Sequence, residues 1–223
     1  MVSKKNKFYN KLVKKPWGSE YLIYENKKIA AWFLNITYKK ATSLHCHPLK
    51  KTGFILLNGA VVMDVGFYQK KKINALNKMM IRPGLFHSTK ALSKKGVQII
   101  EIETPNNKEN LIRFKDNYGR EKKPYENKKN IIQLPKNSLR INKNTKNFKF
   151  ENCKFKIQKY KKILKSNLSN KKEIYAVLDG GLGINSKNLV LAPGDIVRTN
   201  TIKKLANSFK PVPSITILSI SLC

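Results

Sequence analysis

The stretch SLHCHPLKKTGFILLNG, residues 43–59, has the pattern of two β-strands and carries two of the three histidines of the chain. Side chains two positions apart on a strand point to the same face, so His45 and His47 present two imidazoles together while Cys46 points away. Imidazole is a common ligand for zinc, iron, nickel and copper. The stretch ends in Asn58-Gly59, a strong turn signal. It therefore predicts two strands, the first of which carries two candidate metal ligands.

The remaining histidine, His87, follows the turn Pro83-Gly84 at the end of another segment with strand character. A His-x-His pair is by itself weak evidence, because histidines also occur in cores and on surfaces. The third histidine at the end of a separate strand favours a metal site made of His45, His47 and His87.

Outward from the histidines, short apolar or alternating runs rich in Ile, Val, Phe and Tyr recur between turn signals, without a sustained helical stripe. This pattern predicts an all-β fold, with local helix around Asn107 to Phe114 and Ile202 to Phe209. The predicted strands are Glu20 to Tyr24, Ala30 to Tyr38, Ser43 to His47, Phe54 to Leu57, Ala60 to Val65, Lys78 to Ile81 and Val97 to Glu103.

A polar segment from Gly119 to Asn147, dominated by Lys, Asn, Pro and Glu, predicts a connection between two halves. In the β-rich segment that follows, Glu173 precedes Gly180 by seven positions, as Thr52 precedes Gly59. We interpret this spacing as a weak internal repeat. The second half has no histidine, so we expect it to have a structural or dimerising role. The expected domains are a metal-site domain over residues 1–130 and a degenerate second domain over residues 131–223.

The histidine segments resemble the motifs of the cupin superfamily. His45, His47 and Gly59 fit the spacing of the first motif, in which Thr52 stands at the position of a glutamate. The second motif, in which a histidine follows a Pro-x-Gly turn, is matched at Gly84 and His87, with Arg82 at the proline position. The resemblance implies a cupin fold, a double-stranded β-helix or jelly roll, in two cupin-like halves. It also implies one divalent metal ion, such as zinc, manganese, nickel or iron, on three imidazoles with open positions.

Within the cupins, the chain is similar to the type II phosphomannose isomerase domain. That domain begins near Arg-Pro-Trp-Gly, here Lys15-Pro16-Trp17-Gly18, and ends in a signature matched here by Ile100-Glu101-Ile102-Glu103 and by residues 111–120, LIRFKDNYGR. The resemblance covers about the first 120 residues and leaves the second half out.

This resemblance implies an isomerase of sugar phosphates, which moves a proton between adjacent carbons while the metal polarises oxygen. Arg113 matches the family arginine at the reacting centre, where its charge would stabilise an enediolate. Arg120, Lys50 and Lys51 are candidates for the phosphate, and Tyr118 for the substrate.

Structural roles compete with each of these assignments. Arg113 and Asp116 would also make an ion pair, Tyr118 would also pack, and the two lysines would also lie in solvent. Glu101 and Glu103 share one face of a strand, and the amphipathic pattern predicts that this face points away from the interior. We therefore assign no general base.

The charge of the chain is strongly positive, because 46 Lys and Arg face 13 Asp and Glu, for a net charge of +33. The lysines are spread along the whole chain without a basic helix or an RNA-binding signature, so we do not expect a nucleic-acid partner. We do expect the charge to attract a small anionic ligand such as a sugar phosphate. Neither a secretory signal nor a membrane span is predicted, so we expect a cytoplasmic protein. The cupin resemblance also implies a homodimer.

Three functions from different classes are compatible with these observations. The first is a metal-dependent isomerase or epimerase of a sugar phosphate or nucleotide sugar. The second is an iron dioxygenase, since three histidines without a carboxylate resemble the thiol dioxygenase branch of the cupins. The third is a non-catalytic sugar- or metal-binding accessory protein, because a fold does not determine a function.

Overall fold

The computed structural model describes residues 7–107, 110–121, 128–142, 147–164, 166, 168 and 173–223. Strands make up most of these residues, and one α-helix among them, α1, spans Thr199–Ser208. No helix in these ranges has the length and apolar character to cross a membrane. The all-β prediction is confirmed. The strands are β1 (Lys11–Lys15), β2 (Gly18–Glu25), β3 (Ala30–Ile36), β4 (Leu44–Cys46), β5 (Lys51–Leu56), β6 (Ala60–Val65), β7 (Gln69–Asn74), β8 (Asn77–Ile81), β9 (His87–Ala91), β10 (Val97–Thr104), β11 (Ile112–Lys115), β12 (Ile131–Gln133), β13 (Asn147–Phe150), β14 (Cys153–Tyr160), β15 (Ile174–Asn185), β16 (Asn188–Leu191), β17 (Ile196–Arg198) and β18 (Lys210–Leu222).

Strands β3 to β10 form a barrel of two facing sheets. One sheet contains β3-β10-β5-β8 in that order, and the other contains β4-β9-β6-β7. This is the strand order of an eight-stranded jelly roll, so the predicted fold is confirmed by the topology itself. The first sheet is extended by β2, β1 and β12, and the second by β11. Because β12 pairs with β1, the first sheet continues past residue 130, the predicted domain boundary.

The turn at Asn58-Gly59 carries the chain from β5 in one sheet to β6 in the other. Gly59 has a φ of +68°, and a Cβ added to it would lie 2.6 Å from the hydroxyl oxygen of Ser93. Both the left-handed backbone and the close approach require glycine here. The sequence signal for this turn thus marks the crossing between the two layers.

The second half forms a single six-stranded sheet, β13-β14-β18-β15-β16, with β17 paired to β15 beside β16. The first part of β15 pairs with β17 and its last part with β16, as β5 pairs with β8 and β6 with β7 in the barrel. The order β14-β18-β15 follows β3-β10-β5 in the same way. A counterpart of β4 would fall between Tyr160 and Ile174, where the structure describes only part of the chain.

Two buried clusters show how the halves fit together. The interior of the barrel is filled by residues such as Trp32, Phe54 and Met63. A second cluster joins the outer face of the first sheet, including Ile100, to the six-stranded sheet, including Leu218. Strand β10 is therefore buried on both faces, by the barrel interior on one side and by the second half on the other.

The two predicted helices have different outcomes. The helix around Ile202 to Phe209 is confirmed by α1. The helix around Asn107 to Phe114 is wrong, because Ile112–Lys115 forms β11 and pairs with β4 next to the histidines. A tertiary pairing partner decides the conformation of this short segment, which has no helical repeat to resist it.

Candidate metal centre

A small pocket lies inside the barrel between the two sheets. Its enclosed volume is about 50 Å³, enough for a few water molecules. The lining comes from both sheets and from the segments at their ends. The lining residues are Lys15, Trp17, Glu20, Leu34, Thr42, Ser43, His45, His47, Phe54, His87, Thr89, Glu101, Glu103, Leu111, Arg113 and Arg120.

The structure brings the three predicted metal ligands together in this pocket. His45 on β4 is paired directly with His87 on β9, and His47 follows β4 on the same face. The ring centroids of His45 and His87 are 4.5 Å apart, and those of His45 and His47 are 5.0 Å apart. Ligand-capable atoms, one from each ring, lie within 4.8 Å of one another. The three rings are close enough to share one ion.

Each imidazole is oriented by a backbone carbonyl that accepts a hydrogen bond from its Nδ1. The carbonyl oxygens of Ser43, Asn110 and Leu85 lie 2.8, 2.7 and 3.0 Å from the Nδ1 atoms of His45, His47 and His87, respectively. Because a carbonyl only accepts, Nδ1 carries the proton and Nε2 keeps its lone pair. This is the outer-shell arrangement that metal-binding histidines use.

The inward-facing nitrogens support a metal ion as the occupant of the site. The Nε2 atoms of His47 and His87 are buried, and neither has a hydrogen-bond partner among the described residues. A buried lone pair without a partner is costly, and a bound cation satisfies it. The residues present thus fit a divalent metal ion held by His45, His47 and His87.

The electrostatics of the pocket keep these rings neutral, which is the form that binds metal. Burial lowers the pKa of His47 to about 3, and the ammonium group of Lys50 adds to this effect. Burial also lowers the pKa of His87 to about 4. The pKa of His45 lies well below its usual value, first because of burial and then because of the neighbouring His87.

Two buried carboxylates, Glu101 and Glu103, project into the pocket from β10, contrary to the expectation that this face points away from the interior. Their exposed fractions are 6% and 1%. Glu103 Oε1 accepts a hydrogen bond from Lys50 Nζ at 2.8 Å and lies 3.9 Å from His47 Nε2. Both faces of β10 are buried, so the isoleucines of this strand do not identify the face that points inward.

Arg113, the candidate for stabilising an enediolate, lines the pocket from β11, directly opposite His45. It is half-buried, and its Nη1 donates to the carbonyl oxygen of Arg120 at 3.4 Å. Asp116, the expected competing partner of Arg113, forms its ion pair with Arg120. The Nε and Nη2 atoms of Arg120 bind the two carboxylate oxygens of Asp116 at 2.9 and 2.8 Å, and this pair lowers the pKa of Asp116 against the effect of its burial.

The remaining candidate substrate ligands, Tyr118, Arg120 and Lys50, each have a partner within the chain. Tyr118 donates its hydroxyl proton to the carbonyl oxygen of Ala41 at 3.2 Å, and its ring lies beneath the guanidinium of Arg120. Arg120 lines the pocket, but Asp116 occupies its guanidinium fork. Lys50 is fully buried and paired with Glu103. A phosphate group would have to compete with these partners.

Lys51 is not brought to the pocket. It lies one position from Lys50, so it points to the opposite face of the sheet, and its Nζ binds Asp195 Oδ1 of the second half at 2.5 Å. The prediction of Lys51 as a phosphate ligand therefore needs correction, because strand alternation separates the two neighbouring lysines.

Sequence reasoning also missed pocket residues at the start of the chain. Lys15 and Trp17 line the pocket, and Lys15 Nζ lies 3.6 Å from Glu20 Oε1 in a buried ion pair. The signal was available, because the segment Lys15-Pro16-Trp17-Gly18 is part of the phosphomannose isomerase resemblance. The segment was interpreted only as part of that resemblance, and no site role was predicted for its residues.

Neither a protein-family profile nor a curated protein sequence matches this chain. Among solved structures, it is similar to a protein from Klebsiella pneumoniae subsp. pneumoniae with a double-stranded β-helix domain, at 14% identity and a TM-score of 0.38, over 40% of this chain and 76% of that one. KdgF from Halomonas sp. is similar at 13% identity and a TM-score of 0.39, over 42% of this chain and 84% of that one. The cupin domain of Schizosaccharomyces pombe Cnp3 is similar at 12% identity and a TM-score of 0.38, over 40% and 64%.

These similarities span about two fifths of the chain. The assignment of the jelly roll rests on its strand order, and the function has to be argued from the residues of the site.

Proposed function

We propose that this chain is a metal-dependent isomerase or epimerase that acts on a small sugar phosphate or nucleotide sugar, in the manner of the type II phosphomannose isomerase domain that its first 120 residues resemble. His45, His47 and His87 would hold the divalent ion. The second half would act as a structural layer, with no metal site of its own.

The observation that carries the proposal is the common orientation of the three imidazoles. Each donates Nδ1–H to a backbone carbonyl, which directs three Nε2 lone pairs into one small space. Histidines buried only for packing have no reason to leave Nε2 without a hydrogen bond, as is seen for His47 and His87 among the described residues. A set of three imidazole ligands leaves coordination positions open for substrate, as catalytic sites require.

The ion would polarise a carbonyl or hydroxyl oxygen of the substrate and so acidify the neighbouring C–H bond. Glu101 is a carboxylate of the pocket wall suited to accept that proton and return it to the adjacent carbon. Arg113, opposite His45, would stabilise the enediolate by its fixed charge.

The carboxylates in the pocket weigh against the iron dioxygenase. That hypothesis rested on three histidines without a carboxylate, whereas Glu103 Oε1 lies 3.9 Å from His47 Nε2. The non-catalytic accessory protein remains as the alternative, and it differs from the isomerase in having no turnover. The homodimer, the cytoplasmic location and the absence of a nucleic-acid partner stay predictions.

Two measurements on the purified full chain test the proposal. Elemental analysis should find about one zinc, manganese, nickel or iron per chain, and the double variant H45N/H47N should lose it. Incubation of the metal-loaded protein with mannose 6-phosphate or fructose 6-phosphate in deuterated water should introduce deuterium at carbon 2, and R113M should abolish this exchange while keeping the metal. Metal binding without exchange across a panel of sugar phosphates and nucleotide sugars would identify the accessory protein instead.

A further inference from the structure

Thr52 and Glu103 lie side by side on neighbouring strands of one sheet of the barrel. They are direct Cα partners in the antiparallel ladder of β5 and β10, so their side chains leave the sheet on the same side. Residues opposite each other in such a ladder have Cβ atoms roughly 5 Å apart. Both positions are almost fully buried, at 0% and 1% exposure. A carboxylate at position 103 therefore reaches nearly the same space as a carboxylate at position 52.

The surroundings of Glu103 connect it to the histidines. Its Oε1 atom lies 3.9 Å from His47 Nε2 and 2.8 Å from Lys50 Nζ. The hydroxyl of Thr52 is buried beside Glu103 without a hydrogen-bond partner in the described residues. The carboxylate of Glu103 thus lies beside the inward-facing imidazole of His47, which belongs to both groups of possible metal ligands.

We propose that Glu103 supplies, from the neighbouring strand, the carboxylate ligand that Thr52 lacks, and that Lys50 holds this carboxylate in place. The inference rests on the metal site of the proposed function and adds a fourth protein ligand to it. A carboxylate has two oxygens with about four acceptor positions, so it binds an ion and accepts the hydrogen bond from Lys50 together. The mixed imidazole and carboxylate set suits manganese, iron and zinc.

Glu101 is the other carboxylate near the cluster, and the geometry favours Glu103 over it. Ligand-capable atoms of His47, Glu101 and Glu103 all lie within 4.8 Å of one another. However, Glu101 is paired with Phe54 and Trp32 in the sheet, whereas Glu103 is paired with the position that the cupin motif reserves for its glutamate. The two residues share chemistry and face, so they form a matched pair for mutation.

Titration of cobalt(II) into the metal-free full chain measures the role of Glu103 independently of activity. Calorimetry gives the affinity, and the visible absorption of the cobalt reports the ligands around it. We expect E103Q to weaken binding roughly 10- to 100-fold and to change the cobalt spectrum, and the matched control E101Q to preserve both. Equal affinities and spectra for E103Q and the wild type would overturn the inference, as would a loss confined to E101Q.

Two further variants separate ligand loss from loss of folding, because E103Q leaves the buried Lys50 without its carboxylate partner. The variant K50M/E103Q removes both charges, and we expect it to fold and to bind cobalt as weakly as E103Q. The swap T52E/E103T moves the carboxylate to the opposite strand, and we expect it to bind more tightly than E103T alone. Wild-type affinity in K50M/E103Q would contradict the role of Glu103.

The failure of this inference is distinguishable from the failure of the proposed function. If the wild type binds cobalt and H47N does not, the metal site stands, and the glutamate variants decide the ligand set. If the wild type binds no metal, both the proposed function and the role of Glu103 are overturned together.

Discussion

The barrel and the second half use the same order of strand pairing to build different interiors. In the barrel, a turn separates β5 from β6 and another separates β9 from β10, so the strands divide into two facing sheets. In the second half, β15 and β18 are continuous strands of 12 and 13 residues that stay in one sheet. One face of this sheet packs on the barrel, and the other packs under α1.

The difference shows that the turns between strands create the enclosed space of the barrel, and that the residues pointing into this space make a metal site possible. On β10 the inward positions next to the histidines are Glu101 and Glu103. On β18, which takes the matching place in the strand order, Ile215 and Ile217 point into an apolar cluster with Tyr175 and Val177. Polar side chains line the pocket inside the barrel, while the rest of the barrel interior is apolar. The second half supplies apolar contact to the outer face of the barrel.

The largest expected effect comes from breaking the contact between the two regions. Leu218 has 0% exposure in the cluster that joins the six-stranded sheet to the barrel. L218D would bury an unpaired carboxylate there, so we expect it to lower the free energy of unfolding by more than about 4 kcal/mol. Chemical denaturation followed by circular dichroism measures this loss.

A surface position in the same sheet provides the control for that measurement. Ile184 on β15 is 79% exposed, so I184D should lower the free energy of unfolding by about 1 kcal/mol or less. A shared core also predicts a single cooperative transition for the wild type. Two separate transitions, with L218D affecting only one of them, would show that the halves fold independently.

A smaller effect distinguishes the regions by their response to metal. Only the barrel carries histidines, and a ligand that binds the folded state stabilises it. We expect zinc at a free concentration of one hundred times its dissociation constant to add about 2.7 kcal/mol to the free energy of unfolding. Denaturation with and without zinc measures this gain, and it should disappear in H47N. An equal gain in H47N would show that zinc binds elsewhere.

The jelly roll was implied by the resemblance of the segments around His45, His47 and His87 to the cupin motifs. The strands themselves were predicted because alternating runs and the turn at Asn58-Gly59 depend on residues close together in the chain. The second half was recognised as β-rich for the same reason. No individual strands were predicted there, and the long strands β15 and β18 are seen only in the structure.

The parts of the site that escaped prediction depend on contacts between distant segments. Glu101 and Glu103 were oriented away from the interior because the isoleucines between them looked like the buried face. Both faces of β10 are in fact buried, and the six-stranded sheet that covers the outer face begins more than 40 residues further along the chain. Periodicity identifies the inward face of a strand only where the other face meets water.

The next effect is the acid sensitivity of the metal-free barrel. The pKa of His47 is about 3 in the folded protein, against about 6.5 in an unfolded chain. Between these values the unfolded state binds more protons, so the free energy of unfolding falls as the pH falls below about 6.5. We expect His47 to cost roughly 2 kcal/mol between pH 7 and pH 5, a loss that H47N should avoid.

Denaturation of both proteins at pH 7 and pH 5, with a chelator present to keep metal out of the site, isolates this effect. Carboxylates elsewhere titrate equally in the wild type and the variant, so their contributions cancel in the comparison. If the wild type and H47N lose the same stability, His47 is not held neutral by the barrel.

The smallest expected effect lies at the border between the two regions, where Lys51 of β5 binds Asp195 of the second half. Both side chains are about one-quarter exposed, and water screens such a pair, so K51M should lower the free energy of unfolding by only about 0.5 to 1 kcal/mol. A double-mutant cycle with D195N should assign about half a kcal/mol to the pair itself. Because strand alternation points Lys51 away from the pocket, K51M should also keep the wild-type KM for a sugar phosphate and the wild-type affinity for cobalt. A raised KM with unchanged stability would instead restore Lys51 to the substrate site, and would mean that the face of β5 turned toward the second half takes part in binding.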